Sequence, residues 1–321
     1  VRSSAGTFPR EGEAEPGRRE RGSERGGVEP PGPAEPWTVL RLLRWSGGYL
    51  EDRGVEGGRL EAEHLLAEAL DTERLRLYLE FDRPLTPEEL DAYRPLLLRR
   101  ARREPLQHVV GYTRFREVEL RTDARAMIPR PETEILVGAV LEWVERREME
   151  EVAGVDVGTG TGAIALSLLR EGPFRRIVAT DRSEEALSLA RENAERLGAT
   201  DQVAFRRGDL FGALGEAERF DVVVSNPPYV ARGDAADLEP EVREWEPEDA
   251  LFAGPEGTEV VAALVSGAPS HLRPGGLLAL EIGAEQGERA RELVRGRGAY
   301  EEPEIRRDLA GRERILLAVR R

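Results

Sequence analysis

Between Val155 and Leu166 the chain reads Val-Asp-Val-Gly-Thr-Gly-Thr-Gly-Ala-Ile-Ala-Leu: a short apolar strand, a turn with glycine at every second position, and the opening of a helix. Glycine reaches backbone conformations closed to other residues, so such a turn can bring peptide N–H groups close to a ligand. The helix N-terminus behind it favours negative charge. From Pro131 onward the pattern alternates strands with helices, the signature of a doubly wound, mostly parallel α/β sheet. Apolar strands are predicted near residues 152–157, 176–181, 203–207, 220–225 and 276–282. Arg314 to Val319 closes the sheet, with a partner near Tyr300 to Arg306.

Two further strands end in acids. Arg176 to Asp181 finishes on a carboxylate placed to accept hydrogen bonds from ribose hydroxyls. The strand from about Val203 to Arg207 runs into Gly208-Asp209-Leu210, where Asp209 can accept from an adenine amino group. Either acid alone reads as an ordinary loop carboxylate or helix cap. At successive strand ends they outline a nucleoside. The glycine turn does not choose between nicotinamide dinucleotides and S-adenosylmethionine, because enzymes of both kinds use it.

The choice comes from Asn226-Pro227-Pro228-Tyr229, which follows the β-branched run Phe220 to Ser225. Two prolines fix φ twice and remove two backbone donors, so the strand must stop there. What remains is a rigid turn carrying outward carbonyls, an amide side chain and an aromatic ring. Asn226 Oδ1 and a proline carbonyl can accept the two hydrogens of a planar NH2 group, and Tyr229 can stack on its face. A bare strand followed by a Pro-rich turn is the plainer reading, and Pro-Pro alone would favour it.

Composition closes other routes. The chain has no cysteine, hence no disulfide, thiolate nucleophile or cysteine metal site. Its three histidines, His64, His108 and His271, are scattered without ligand spacing, so no metal is expected. No apolar stretch reaches the length of a membrane span and no charged-then-apolar segment opens the chain, so a cytoplasmic protein is expected. All 47 basic residues are arginine, and the net charge of −15 argues against a broad grip on nucleic acid. Residues 94–130 run against that sum, with ten arginines and four acids. They read as a solvated face with helix-dipole compensation, the other reading being a docking strip for a partner or its RNA.

Residues 1–36 hold 13 Gly or Pro with almost no large apolar side chains, and are expected to be disordered. Beginning with Val1 and not Met, the chain suggests an alternative start codon or an overextended reading frame. Leucines then recur at helical spacing from Leu40 to Leu70, and Pro87-Glu88-Glu89 reads as the acidic first turn of another helix ending near Arg103. Residues 107–127 alternate like strands, which predicts a β-hairpin.

Taken together, Ile128-Pro129-Arg130-Pro131-Glu132-Thr133-Glu134, the Asp156 to Gly162 turn and Ser225 to Tyr229 resemble the protein-(glutamine-N5) methyltransferase family (HemK/PrmC-like) that acts on class-I peptide chain release factors. Weaker echoes are Gly111 to Phe115 and Glu281-Ile282-Gly283, and the likeness covers roughly residues 37–321. It implies a seven-stranded Rossmann-like S-adenosylmethionine-dependent methyltransferase sheet with a small N-terminal helical domain joined by a β-hairpin. The corresponding division is a 1–36 extension, a 37–106 helical bundle for partner recognition, a 107–130 hairpin linker and a 131–321 methyltransferase domain. By the same likeness Gly158, Thr159, Gly160, Thr161, Gly162, Asp181 and Asn226 contact S-adenosyl-L-methionine. Asn226, Pro227, Pro228 and Tyr229 hold the glutamine of a Gly-Gly-Gln loop, with Asn226, Pro227 and Tyr229 as the catalytic set. Leu210 stands where the family often has an aromatic residue against the adenine, and still offers an apolar wall. His108 stands where relatives usually have tyrosine, and is read as structural.

Three competitors remain. A nucleic-acid methyltransferase acting on adenine N6 or guanine N2 would use the same Asn-Pro-Pro-aromatic logic on a flipped base. A nucleotide-hydride enzyme leaves Asn226 to Tyr229 without a role. A non-enzymatic binding module would need no cofactor pocket. Charge, the helical N-terminal segment and the Pro-Arg-Pro-Glu-Thr-Glu run favour the protein substrate, with no membrane and no stable nucleic-acid partner expected.

Overall fold

The computed structural model describes residues 36–321, so the disorder expected for 1–36 lies, apart from Pro36, outside the described residues. The described chain forms two compact units that part after Val110.

The first unit is helical: α1 (Val39–Glu51), α2 (Gly58–Ala69), α3 (Arg74–Leu79), α4 (Pro87–Arg100) and α5 (Leu106–Val110). Its starts are written in local chemistry. Thr38 Oγ1 accepts from Arg41 N and caps α1. Thr86 and Glu89 exchange side-chain and backbone hydrogen bonds in a capping box ahead of α4, with Pro87 in the first turn. Leu42, Leu43, Leu65, Leu66, Tyr93 and Leu97 form its fully buried core. The alternation read from residue 107 as strand is helical up to Val110. Pro105 presets the helical φ, and its carbonyl accepts from both His108 N and Val109 N.

The second unit opens with a hairpin of β1 (Tyr112–Phe115) and β2 (Val118–Arg121), paired antiparallel from Tyr112↔Arg121 to Phe115↔Val118. There follow α6 (Pro131–Arg146), β3 (Val152–Val157), α7 (Ala163–Glu171), β4 (Phe174–Asp181), α8 (Glu184–Arg196), β5 (Val203–Arg207), β6 (Phe220–Ser225), β7 (Val230–Ala231), α9 (Pro240–Trp245), α10 (Glu248–Leu251), β8 (Phe252–Gly254), α11 (Glu259–Gly267), β9 (Leu272–Glu281), α12 (Gly287–Arg297), β10 (Glu304–Arg307) and β11 (Glu313–Val319).

Seven strands make one sheet in the order β10-β11-β9-β6-β3-β4-β5. The five from β9 to β5 are parallel, and β11 runs antiparallel to both β9 and β10. This is the expected Rossmann-like sheet. Buried on both faces, its middle strands are continuous apolar runs such as Val222-Val223-Val224. One face packs on α6 and α7, where Leu136, Val140 and Leu168 join Phe115 and Leu120 of the hairpin. The other face packs Val223, Leu278 and Leu316 against Val261, Leu264 and Val294 of α11 and α12. Strand order reverses between β3 and β6, and the carboxyl ends of an open α/β sheet bind ligands at such a point.

Candidate active site

A cavity of about 680 Å³ opens at that reversal. Its floor is made of successive strand ends: Gly158 to Thr161 after β3, Asp181 as the last residue of β4, Gly208 to Leu210 after β5, and Ser225 to Pro228 from the last residue of β6 onward. Ala124 to Met127, Thr133 and residues 244–250, including Trp245, complete the wall. The structure thus brings Gly158, Thr159, Gly160, Thr161, Asp181, Asp209, Leu210, Asn226, Pro227 and Pro228 to one cavity. Gly162 and Tyr229 lie outside its lining. A Cβ at Gly162 would stand 3.1 Å from Leu166 Cδ1 and 3.4 Å from Ala190 Cβ, so this glycine lets α7 and α8 pack closely. The Tyr229 hydroxyl donates to Glu281 Oε1 at 3.3 Å, and its carbonyl accepts from Gln286 Nε2.

The glycine turn is held from three sides. Gly158 and Gly160 sit at φ of 74° and 55°, where side-chain-bearing residues are strained. Asp181 accepts from Gly160 N through Oδ2 and from Ser183 N through Oδ1, tying the turn to the start of α8. Fully buried Asn193 donates to Thr161 O and exchanges hydrogen bonds with the backbone of Arg121, which fastens the hairpin to the same turn. Two accepted hydrogen bonds leave the Asp181 carboxylate with capacity for ligand hydroxyls. Burial raises its proton affinity, opposed by the backbone donors Ser183 and Gly160.

Eight carboxylates line the cavity (Asp181, Glu185, Asp209, Glu244, Glu246, Glu248, Asp249, Glu259) against two arginines, Arg125 and Arg182. Such a lining favours a ligand carrying positive charge, such as a sulfonium with an ammonium group, and disfavours a pyrophosphate. At the end of β6, Asn226 Nδ2 donates to Thr133 Oγ1, while Asn226 Oδ1 is buried without a protein partner. A buried unpaired carbonyl costs roughly 1–3 kcal/mol, and on a residue that lines the cavity it is an acceptor available to a ligand. The donor set, the acidic wall and the open acceptor fit S-adenosyl-L-methionine together with an amide.

Sequence reasoning missed several participants. Thr133 and Glu281 stood inside recognised segments but had no role, and the signal for Glu281 was an acid closing an apolar strand. Arg130 Nη2 donates to both oxygens of Glu246 at 2.7 Å, joining the residues before α6 to the segment over the cavity. Arg125 pairs similarly with Asp123 and Glu192, Arg116 with Glu171 and Arg99 with Glu104. Much of the basic 94–130 stretch is therefore engaged by carboxylates. The Glu246 side chain is 1% exposed and Arg130 30%. Arg130→Leu is expected to lower stability by about 2–3 kcal/mol, less than the ~3–5 of a fully buried pair, and Arg130→Leu with Glu246→Leu to recover most of it. Urea midpoints of the two variants check this.

Two acids beside the cavity are held protonated up to unusual pH by burial. Asp156, which accepts from Thr159 Oγ1 at 2.6 Å, and Glu281, which accepts from Thr133 Oγ1, are each pushed up to about 7. In the unfolded chain both lose their protons near 4. Between about 4 and 7 the folded protein keeps protons that the unfolded chain has shed, so this contribution to stability falls as pH rises through that window. Asp156→Asn removes one such group while keeping an acceptor for Thr159. Its melting temperature is expected to exceed that of the wild type at pH 8, with the gain shrinking toward pH 5.

Residues 41–111 match the family model described as the PrmC N-terminal domain, and residues 134–239 match the methyltransferase small domain. A protein of Geobacter sulfurreducens named release factor glutamine methyltransferase is 44% identical over 254 residues, 79% of this chain and 87% of its own. Proteins of the same name from Rhodopirellula baltica and Moorella thermoacetica are 38% and 42% identical, covering 88% of this chain and 96% and 99% of theirs. Among solved structures, the catalytic domain of hMettl16 in complex with MAT2A 3'UTR hairpin 6 shares the fold with a TM-score of 0.54 at 17% identity, over 66% of this chain and 80% of that one. No helix among the described residues is long and apolar enough to cross a membrane. By identity and coverage together, this chain belongs to the release factor glutamine methyltransferase family.

Proposed function

We propose that this chain transfers the methyl group of S-adenosyl-L-methionine to the side-chain N5 of the glutamine in the Gly-Gly-Gln loop of a class-I peptide chain release factor, in the cytoplasm. The observation that carries the reading is the open acceptor Asn226 Oδ1 on the cavity wall beside Pro227. The flanking glycines of such a loop let the glutamine side chain reach deep into a narrow site. The relatives named above support the substrate class, and the acidic lining supports the cofactor over a dinucleotide.

S-adenosyl-L-methionine, when bound, would supply an electrophilic methyl on a sulfonium, with a thioether leaving group that needs no acid. The difficulty is the nucleophile, because a carboxamide nitrogen gives its lone pair to its own carbonyl. Asn226 Oδ1 and the Pro227 carbonyl accept from the substrate NH2. They orient the nitrogen, raise its electron density and stabilise the positive charge that develops there. Holding the nitrogen in a fixed orientation toward the methyl group would supply much of the rate. After transfer the nitrogen is strongly acidic and loses its proton to water, so no side-chain base is needed. The two prolines make the acceptors rigid, and the Tyr229 hydroxyl donates to Glu281.

The test is mass spectrometry of a purified release factor incubated with this protein and S-adenosylmethionine. A methyl mass gain on the Gly-Gly-Gln glutamine is the expected result. Labelling of adenine-containing DNA or RNA with no label on the release factor would overturn it in favour of an exocyclic-amine methyltransferase.

A further inference from the structure

Two residues from distant parts of the chain decide which end of the Asn226 amide faces the cavity. Asn226 Nδ2 donates to Thr133 Oγ1 at 2.9 Å, and Thr133 Oγ1 donates to Glu281 Oε2 at 2.6 Å. Thr133 lies in the first turn of α6 and Glu281 is the last residue of β9, and both side chains are buried. A threonine hydroxyl has one proton, whereas an ionised carboxylate only accepts. With that proton committed to Glu281, the hydroxyl offers Asn226 nothing but a lone pair. The amide must then turn its NH2 toward Thr133 and its oxygen toward the cavity. The opposite flip would set N–H against the N–H of a substrate amide and leave the Thr133 lone pair facing a carbonyl oxygen.

We propose that Thr133 and Glu281 are positioning residues that lock the Asn226 amide with its acceptor facing the substrate. This rests on the reading of Asn226 as the acceptor for the substrate NH2. The same carboxylate also accepts, at 3.3 Å, from the Tyr229 hydroxyl, so one buried acid meets residues at both ends of the proline turn. Thr133 and Glu132 face Glu281 from α6, Arg314 from β11 and Tyr229 from the turn after β6. Once Glu281 is protonated, its O–H can donate to Thr133. The hydroxyl proton is then free to point at Asn226, and the relay loses its direction.

The experiment compares kcat and KM for methylation of a release factor, and calorimetric affinity for S-adenosylhomocysteine, across four variants of the full chain. Asn226→Ala tests the underlying reading: a wild-type rate in this variant sinks that reading itself. Given a loss there, Thr133→Val is expected to lower kcat at least ~10-fold with cofactor affinity changed less than about threefold, and Thr133→Ser, which restores the hydroxyl, to return within about threefold of wild type. The relay predicts a fall in wild-type kcat as Glu281 takes up its proton below about pH 7, and Glu281→Gln, which can donate or accept at every pH, is expected to lack that acid limb. Wild-type kcat in Thr133→Val alongside a crippled Asn226→Ala overturns the relay. Where Thr133→Val does not fold, the pH profile decides: an unchanged acid limb in Glu281→Gln overturns the proposal, and its disappearance supports it.

Discussion

Asn226→Ala is expected to lower methylation of a release factor by about 10² or more. It removes an acceptor that works mainly as positive charge builds on nitrogen, the situation in which a single preorganised hydrogen bond carries about 2.7–4 kcal/mol. The turn should survive, because Pro227 and Pro228 hold φ without help from the amide, and Pro227 is buried. The alanine does leave Thr133 Oγ1 without its donor, but that hydroxyl keeps its bond to Glu281. Affinity for S-adenosylhomocysteine should therefore change much less than the rate. Tyr229 gives the matching contrast. Tyr229→Phe gives up only a 3.3 Å hydrogen bond to Glu281 and should cost little, whereas Tyr229→Ala removes the whole half-buried ring and should cost far more. Equal effects of the two tyrosine variants would mean that the hydroxyl, and not the ring, is what the turn uses.

The parts of this site that are short-range in the chain were legible in the sequence. The strand, glycine turn and helix at 155–166 are one local unit, and Asp181 and Asp209 could be placed because a parallel sheet puts all its strand ends on one rim. The Asn226 turn was legible because consecutive prolines permit so few backbones. What escaped is the wiring between segments. Thr133 meets Glu281 across 148 residues and Asn226 across 93, and Arg130 meets Glu246 across 116. No periodicity reports such pairs, since each depends on which helix covers which end of the sheet. The spacing of Gly158, Gly160 and Gly162 was equally silent about their division of labour. Two line the cavity and the third lies between α7 and α8. The short helix α5 was missed because five residues are too few to show a helical period, and the decisive feature was Pro105 just ahead of it.

That division of labour yields the second large effect. Asp181→Ala removes an acceptor facing the cavity and also frees Gly160 N, whose bond to Asp181 helps hold the glycine turn in its ligand-ready shape. Calorimetric affinity for S-adenosylhomocysteine is expected to drop at least tenfold, about 1.4 kcal/mol or more. Gly160→Val should do the same by another route. Its backbone sits at φ 55°, which costs a branched residue roughly 1–2 kcal/mol, and the new side chain stands where the turn meets ligand. Gly162→Val is different in kind. Strain at φ 85° adds to a Cβ only 3.1 Å from Leu166 Cδ1, so it should destabilise the fold by about 2–4 kcal/mol. Its folded fraction should bind with smaller loss than Gly160→Val, because Gly162 lies off the cavity wall. Melting curves and titrations on the three variants separate the two roles. Unchanged affinity in both Asp181→Ala and Gly160→Val would remove the cofactor from this cavity, whereas a Gly162→Val protein that melts like the wild type would refute the packing role.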